Sequence, residues 1–122
     1  MPAMPLRDRL VLRDAAVRAL LAEGWSVREV VAMERRCVIV RRATDIPEPD
    51  RSWYLDWMPH LGEHGLLLRY HYIWPAKPAT ADAIYAYLAT RVDPLEPLFL
   101  SERRRRISAD TVWRIKRNPT VA

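Results

Sequence analysis

The chain has 122 residues, half of them apolar, and a formal net charge of +5 at pH 7. This length predicts one domain over residues 1–122 with a single core, and the apolar content argues against intrinsic disorder. No apolar run reaches the roughly 18 to 20 residues of a membrane span, and the first residues lack a signal-peptide core. We therefore expect a cytoplasmic protein without a membrane partner. Cys37 is the only cysteine, which excludes a disulfide within the chain.

Two helices are predicted at the N-terminal end. Over residues 6–23 the apolar side chains recur with a helical period, and Gly24 ends the pattern. Ser26 and Glu29 have the spacing of a capping box, in which the serine oxygen accepts from the third residue's amide and the glutamate reaches back. We expect a second helix from this cap to about Arg35.

Three strands are predicted in the middle of the chain, at residues 37–42, 53–57 and 66–74. The first is rich in β-branched residues, and in the other two the side chains alternate in polarity. Pro59 and Gly62 break the pattern between the last two, so a hairpin with a loop of about seven residues is the simplest connection. The three segments would form a three-stranded antiparallel sheet.

Two further helices are predicted after the strands. Thr80 caps one that runs to about Arg91, and Ser108 opens another that Asn118 stops. The residues at 98–100, Leu-Phe-Leu, form a short apolar anchor between them. The sequence thus predicts an α+β fold with two N-terminal helices, a three-stranded antiparallel sheet and two C-terminal helices.

The net charge is concentrated in the C-terminal segment, residues 101–122. Residues 1–100 hold 13 basic and 13 acidic side chains, whereas residues 101–122 hold seven basic and two acidic ones. A concentrated basic stretch raises the local potential and suits an anionic partner, nucleic acid first, although an arginine run is also often a solvated face. The predicted DNA-binding residues are those of this segment and two arginines of the first strand: Arg103, Arg104, Arg105, Arg106, Arg114, Lys116, Arg117, Arg41 and Arg42.

Two motifs occur in order along the chain. Residues 24–30 read Gly-Trp-Ser-Val-Arg-Glu-Val, and residues 97–117 read Pro-Leu-Phe-Leu-Ser, a basic turn, and then Ile-Ser-Ala-Asp-Thr-Val-Trp-Arg-Ile-Lys-Arg. With the predicted order of helices and strands, they resemble the N-terminal half of the catalytic domain of the tyrosine recombinases, the phage integrase family. The resemblance implies DNA binding, chiefly to the phosphate backbone, in a phage or mobile-element context.

The same resemblance implies that the chain is catalytically inactive. The family's first catalytic arginine would fall on Ser26, and Arg28, two residues on, points to nearly the opposite side of the helix. The family's catalytic lysine lies in the hairpin between the second and third strands, but no lysine occurs between Arg51 and Ala76. The family's His-x-x-Arg element and nucleophilic tyrosine would follow Asn118. We therefore expect no enzymatic activity, no catalytic residue and no cofactor.

Two other functions remain open. A recombinase half-domain would leave apolar surface uncovered, and the chain has five tryptophans, so it could be a protein-interaction module that forms a homodimer or engages a recombinase or host protein. His60, Glu63 and His64 match the His-x-x-Glu-His pattern of a zinc hydrolase, which requires a helix. Pro59 and Gly62 argue against a helix there, so the sequence predicts a polar hairpin tip and no metal site.

Overall fold

The structure, a computed structural model, describes the backbone of residues 4–40, 65–70 and 72–118 and the side chains of residues 4–35 and 76–118. The helices within these ranges are α1 (Leu6–Glu23), α2 (Val27–Ala32), α3 (Pro78–Leu88) and α4 (Ala109–Arg117). The strands are β1 (Glu34–Val40), β2 (Gly65–Tyr70) and β3 (Tyr72–Pro75).

The corner between α1 and α2 is confirmed as predicted. Gly24 follows α1 with a φ of 107°, a left-handed conformation that a residue with a side chain adopts only under strain. Ser26 begins α2 with the capping box: its Oγ accepts from the Glu29 amide at 3.1 Å, and the Glu29 carboxylate accepts from the Ser26 amide at 2.9 Å. The helix ends at Ala32 rather than near Arg35, because the backbone at its C-cap is already extended and leads into β1.

The strands differ from the predicted ones. β1 pairs antiparallel with β2, and β2 pairs antiparallel with β3. β1 begins at Glu34, ahead of the predicted 37–42, and the predicted strand 66–74 is divided between β2 and β3. The predicted strand 53–57 lies outside the described residues. The third predicted strand was therefore wrong, because it is two antiparallel strands. Apolar and polar side chains alternate in the same way before and after the chain reverses direction, so the pattern does not show where one strand ends and the next begins. The mixture of helices and strands agrees with the α+β class only at that coarse level.

The last two helices begin by different means. α3 starts with Pro78 at its first position, where the missing amide hydrogen costs nothing and the fixed φ suits a helix. Thr80, the predicted cap, is buried within α3 instead, and the helix ends three residues before the predicted Arg91. α4 begins as predicted, with the Ser108 Oγ accepting from the Thr111 amide at 3.1 Å.

The core lies between α1 and α3 and is closed by α4 and the apolar anchor at 98–100. Its largest fully buried side chains are Phe99, Leu20, Met33, Ile84, Leu98, Ile107 and Val17. The anchor is confirmed, since all three of its side chains are buried, and the Phe99 ring stacks on Tyr87 with centroids 5.6 Å apart. Burying each large apolar side chain contributes about 1.5–3 kcal/mol. The anchor therefore fixes the basic residues that follow it to the core.

An arginine with a largely buried side chain holds the segment that leads into this anchor. The Arg91 side chain is 4% exposed and forms a two-pronged ion pair with Asp93, Nε to Oδ2 and Nη2 to Oδ1, each 2.7 Å. Its Nη1 donates to the carbonyls of Leu98 (2.8 Å) and Pro97 (3.1 Å), and its Nη2 donates to that of Leu95 (3.1 Å). One side chain thus satisfies three carbonyls of a segment outside the helices.

Candidate nucleic-acid interface

The basic loop, residues 101–106, is a closed turn directly after the anchor. Leu100 and Arg106 form an antiparallel bridge across its base, and the Ser101 amide donates to the Arg105 carbonyl at 2.7 Å. The Ser101 Oγ accepts from the amides of Arg103 and Arg105, each at 3.3 Å. Ser101 therefore closes the loop through its amide and its hydroxyl. The arginines of the loop extend from a backbone that these hydrogen bonds hold in place.

All four arginines of the basic loop are exposed, and three of them, Arg103, Arg104 and Arg105, have guanidinium groups that are free within the described ranges. No other residue in the described part of the chain forms a hydrogen bond or ion pair with their guanidinium groups. Arg104 has a φ of 59°, a left-handed conformation that costs a residue with a side chain about 1–2 kcal/mol. All five donors of each guanidinium remain available for phosphate oxygens.

Arg106 differs from its three neighbours, because its guanidinium contacts the end of α2. Its Nη2 pairs with the Glu34 carboxylate at 2.7 Å, and its Nη1 donates to the Val31 carbonyl at 2.9 Å and to the Met33 carbonyl at 3.4 Å. A helix leaves its last carbonyls without partners, and a cation at that end is favourable. Arg106 therefore fixes the basic loop to α2, a role that the sequence did not predict.

The second group of basic residues lies in the last turn of α4. Val112 and Ile115 are buried, whereas Arg114, Lys116 and Arg117 are exposed. These cations also offset the negative end of the helix dipole. The nine residues of α4 rise about 13 Å at 1.5 Å per residue, so the two basic groups lie at opposite ends of one short helix. That separation corresponds to about four nucleotides of a DNA strand at 3.4 Å each.

A recess lies between the basic loop and α1. Its charged lining residues are Arg9, Arg13, Arg91, Arg104, Asp93 and Glu102. Two of the four arginines are engaged internally, since Arg13 donates to the Leu100 carbonyl at 3.1 Å and pairs with Asp14, while Arg91 holds Asp93. The Nε atom of Arg9 is buried without a hydrogen-bond partner among the described residues. Sequence reasoning missed this recess, although Arg13 lies four residues before Val17 and hence on the apolar face of α1.

Ser26, to which the resemblance assigns the family's catalytic arginine, has a local structural role. Ser26 caps α2 through its hydroxyl, and Arg28 is exposed in the first turn of that helix. Arg41 and Arg42 lie outside the described residues, as do His60, Glu63 and His64. Within the described ranges, no group of three His, Cys, Asp or Glu side chains could hold a metal ion.

None of the helices in the described ranges is long and apolar enough to cross a membrane. No protein-family model matches the chain, and no curated protein or solved structure matches it. The resemblance to the tyrosine recombinases therefore depends on the two sequence motifs and the order of the elements.

Proposed function

We propose that this chain is a catalytically inactive, tyrosine-recombinase-like domain that binds DNA through the basic loop and the last turn of α4. The observation that carries the proposal is the presentation of Arg103, Arg104 and Arg105. Their side chains are exposed on a loop that Ser101 closes and that the buried anchor fixes to the core. A loop that is already ordered loses less conformational entropy when it binds a partner.

The contacts would be made mainly to phosphates. Arg103, Arg104 and Arg105 would meet the backbone at one end of α4, and the cations of the last turn, Arg114, Lys116 and Arg117, would meet it at the other. Such contacts supply affinity and position the protein on DNA, but they carry little sequence information. Arg41 and Arg42 remain part of the proposed surface, whereas Arg106 contributes mainly by holding the loop on α2.

The proposed inactivity is supported by the role of Ser26. Its hydroxyl accepts from the Glu29 amide at 3.1 Å and begins α2, so the position provides a cap and no positive charge. Transesterification of DNA requires charge neutralisation at the phosphate, an acid and a nucleophile held together. The mobile-element context is proposed from the sequence motifs.

The test is the salt dependence of DNA binding, measured by fluorescence anisotropy on a short labelled duplex. Each phosphate contact contributes about −0.9 to the slope of log affinity against log salt, so six contacts would give a slope of about −5. The variant R103A/R104A/R105A should lower the magnitude of the slope by about 2.7.

A charge-matched control is available in the variant R7A/R28A/K77A, which removes three exposed cations elsewhere. We expect the slope of this variant to change by less than about 0.9, the contribution of one phosphate contact. An equal loss in both variants would show that general charge, rather than the basic loop, attracts DNA. No binding by the unmodified chain even at low salt would refute the proposal.

A protein-interaction module is the second candidate function. The observation that favours it is the exposure of Met4 (40%), Leu6 (42%) and Val11 (61%) at the start and outer side of α1. Exposed apolar side chains on one element are available to an interface with a protein partner, here a second copy of the chain, a recombinase or a host protein. Absence of DNA binding at low salt would leave this function as the better explanation.

A further inference from the structure

Trp113 is the aromatic side chain of α4, and it lies away from the core. It is 46% exposed, whereas Val112 and Ile115 of the same helix are buried. Those two side chains already attach α4 to the domain, so the indole is not needed for that purpose. A single exposed apolar residue is common on proteins, so the meaning of this one depends on its neighbours.

The neighbours of Trp113 are cations. Residues three and four positions apart share one face of a helix, which places Lys116 and Arg117 beside the indole. The Lys116 Nζ lies 4.9 Å from the ring centroid, a cation–π contact that holds a positive charge against one face of the ring. Among the described residues no carboxylate pairs with Lys116, and no second ring or cation contacts Trp113.

A flat ring beside unpaired cations is the combination that binds single-stranded nucleic acid. Bases stack on the aromatic ring, and the cations follow the phosphate backbone. In a duplex the bases are already stacked on one another, so a ring on a helix surface gains nothing from them and only the phosphate contacts remain. Asp110, one turn before Trp113 in α4, would repel phosphates, so the strand would pass on the Lys116 and Arg117 side.

From this arrangement we infer that Trp113 is a stacking platform for an unpaired base, and that the basic surface binds single-stranded DNA more tightly than duplex. The inference rests on the proposed function, because it assigns the form of DNA to the same surface. It adds a residue, Trp113, that contributes affinity without charge. The two contributions can therefore be measured separately.

The experiment compares three labelled probes of equal length by fluorescence anisotropy: an oligo-dT strand, an abasic strand with the same phosphates, and a duplex. The unmodified chain should bind oligo-dT about 5- to 150-fold more tightly than the abasic strand, the effect of stacking one base. The variant W113A should lose this preference, and W113F should keep most of it. Affinity for the duplex and the salt slope should stay the same, because none of these substitutions changes charge.

The matched control is V11A, which removes an exposed apolar side chain from α1 and should leave all three affinities unchanged. Equal binding of oligo-dT and the abasic strand, with W113A neutral and duplex binding intact, would overturn the inference and leave the proposed function standing. Failure to bind any probe would overturn both. If W113A changed the oligomeric state of the protein in solution but kept the oligo-dT preference, the ring would belong to a protein interface and the inference would be overturned.

Discussion

Replacement of Arg91 by methionine should destabilise the domain more than replacement of Arg103, Arg104 or Arg105 by alanine. The Arg91 side chain is 4% exposed and that of Asp93 is 13% exposed, so methionine would leave a carboxylate largely buried without its main partner. Removing one partner of a buried ion pair costs about 3–5 kcal/mol. Arg35 lies 3.6 Å from Asp93 and remains as a partial partner, so we expect a loss near the lower end, about 3 kcal/mol.

The geometry of Arg91 also predicts the order of stability of other variants at this position. Lysine keeps the charge but cannot reproduce the two-pronged pair with Asp93 together with the bonds to the Leu95, Pro97 and Leu98 carbonyls. R91K should therefore fall between the unmodified chain and R91M. The double variant R91M/D93L should be more stable than R91M alone, because it also removes the unpaired carboxylate.

Urea unfolding followed by tryptophan fluorescence and circular dichroism measures these free energies of unfolding. R105A is the control, since Arg105 is exposed and surface substitutions usually change stability by less than about 0.5 kcal/mol. A loss of less than about 1 kcal/mol in R91M would be too small for a broken buried pair. It would refute the argument that Arg91 holds the segment before the anchor.

The remaining predictions concern pH and backbone strain. The pKa of Asp93 is about 2 rather than 3.8, lowered chiefly by the hydrogen bonds from Arg91 against the opposing effect of burial. The contribution of Asp93 to stability is therefore complete above the ordinary pKa and is lost as the pH falls toward 2. The free energies of unfolding of the unmodified chain and D93N should converge between about pH 4 and 2. A difference that stays constant over this range would contradict the prediction. Because Arg104 has a φ of 59°, R104G should be more stable to urea than R104A by about 1 kcal/mol, while both bind duplex DNA equally; equal stability would mean that this residue is not strained in solution.

The parts of the fold that the sequence predicted are those decided by local chemistry. Gly24, the capping box at Ser26 and the cap at Ser108 each depend on residues within a few positions, and all three are confirmed. Thr80 was misassigned because threonine is common at caps, while Pro78 two residues earlier already begins α3. The division of residues 66–74 between two strands depends on pairing across the sheet, which a single segment does not reveal.

The candidate site was predictable in its charge but not in the direction of its side chains. Arg103 to Arg106 are four identical letters in the sequence, yet the fourth contacts Glu34 and the carbonyls of α2. That contact joins residues 72 positions apart, so no local pattern indicates it. The inward direction of Arg13 could have been predicted from its spacing to the apolar residues of α1. That of Arg91 could not, because its carbonyl partners belong to an irregular segment.

The described arginines before and after the anchor serve two different purposes, and this difference makes the proposals separable by experiment. The first kind is internal: the Arg91 side chain directs its donors inward, to Asp93 and to carbonyls that would otherwise lack partners. Arg106 is exposed, and its donors hold Glu34 and the end of α2 at the surface. Arg103 and Arg105 are exposed on a loop whose position depends on those contacts. A substitution of the first kind, such as R91M, should change the free energy of unfolding and leave the salt slope of the folded protein unchanged, because Arg91 is not among the proposed phosphate contacts. Substitutions of the second kind should do the reverse, because an exposed cation contributes little to stability.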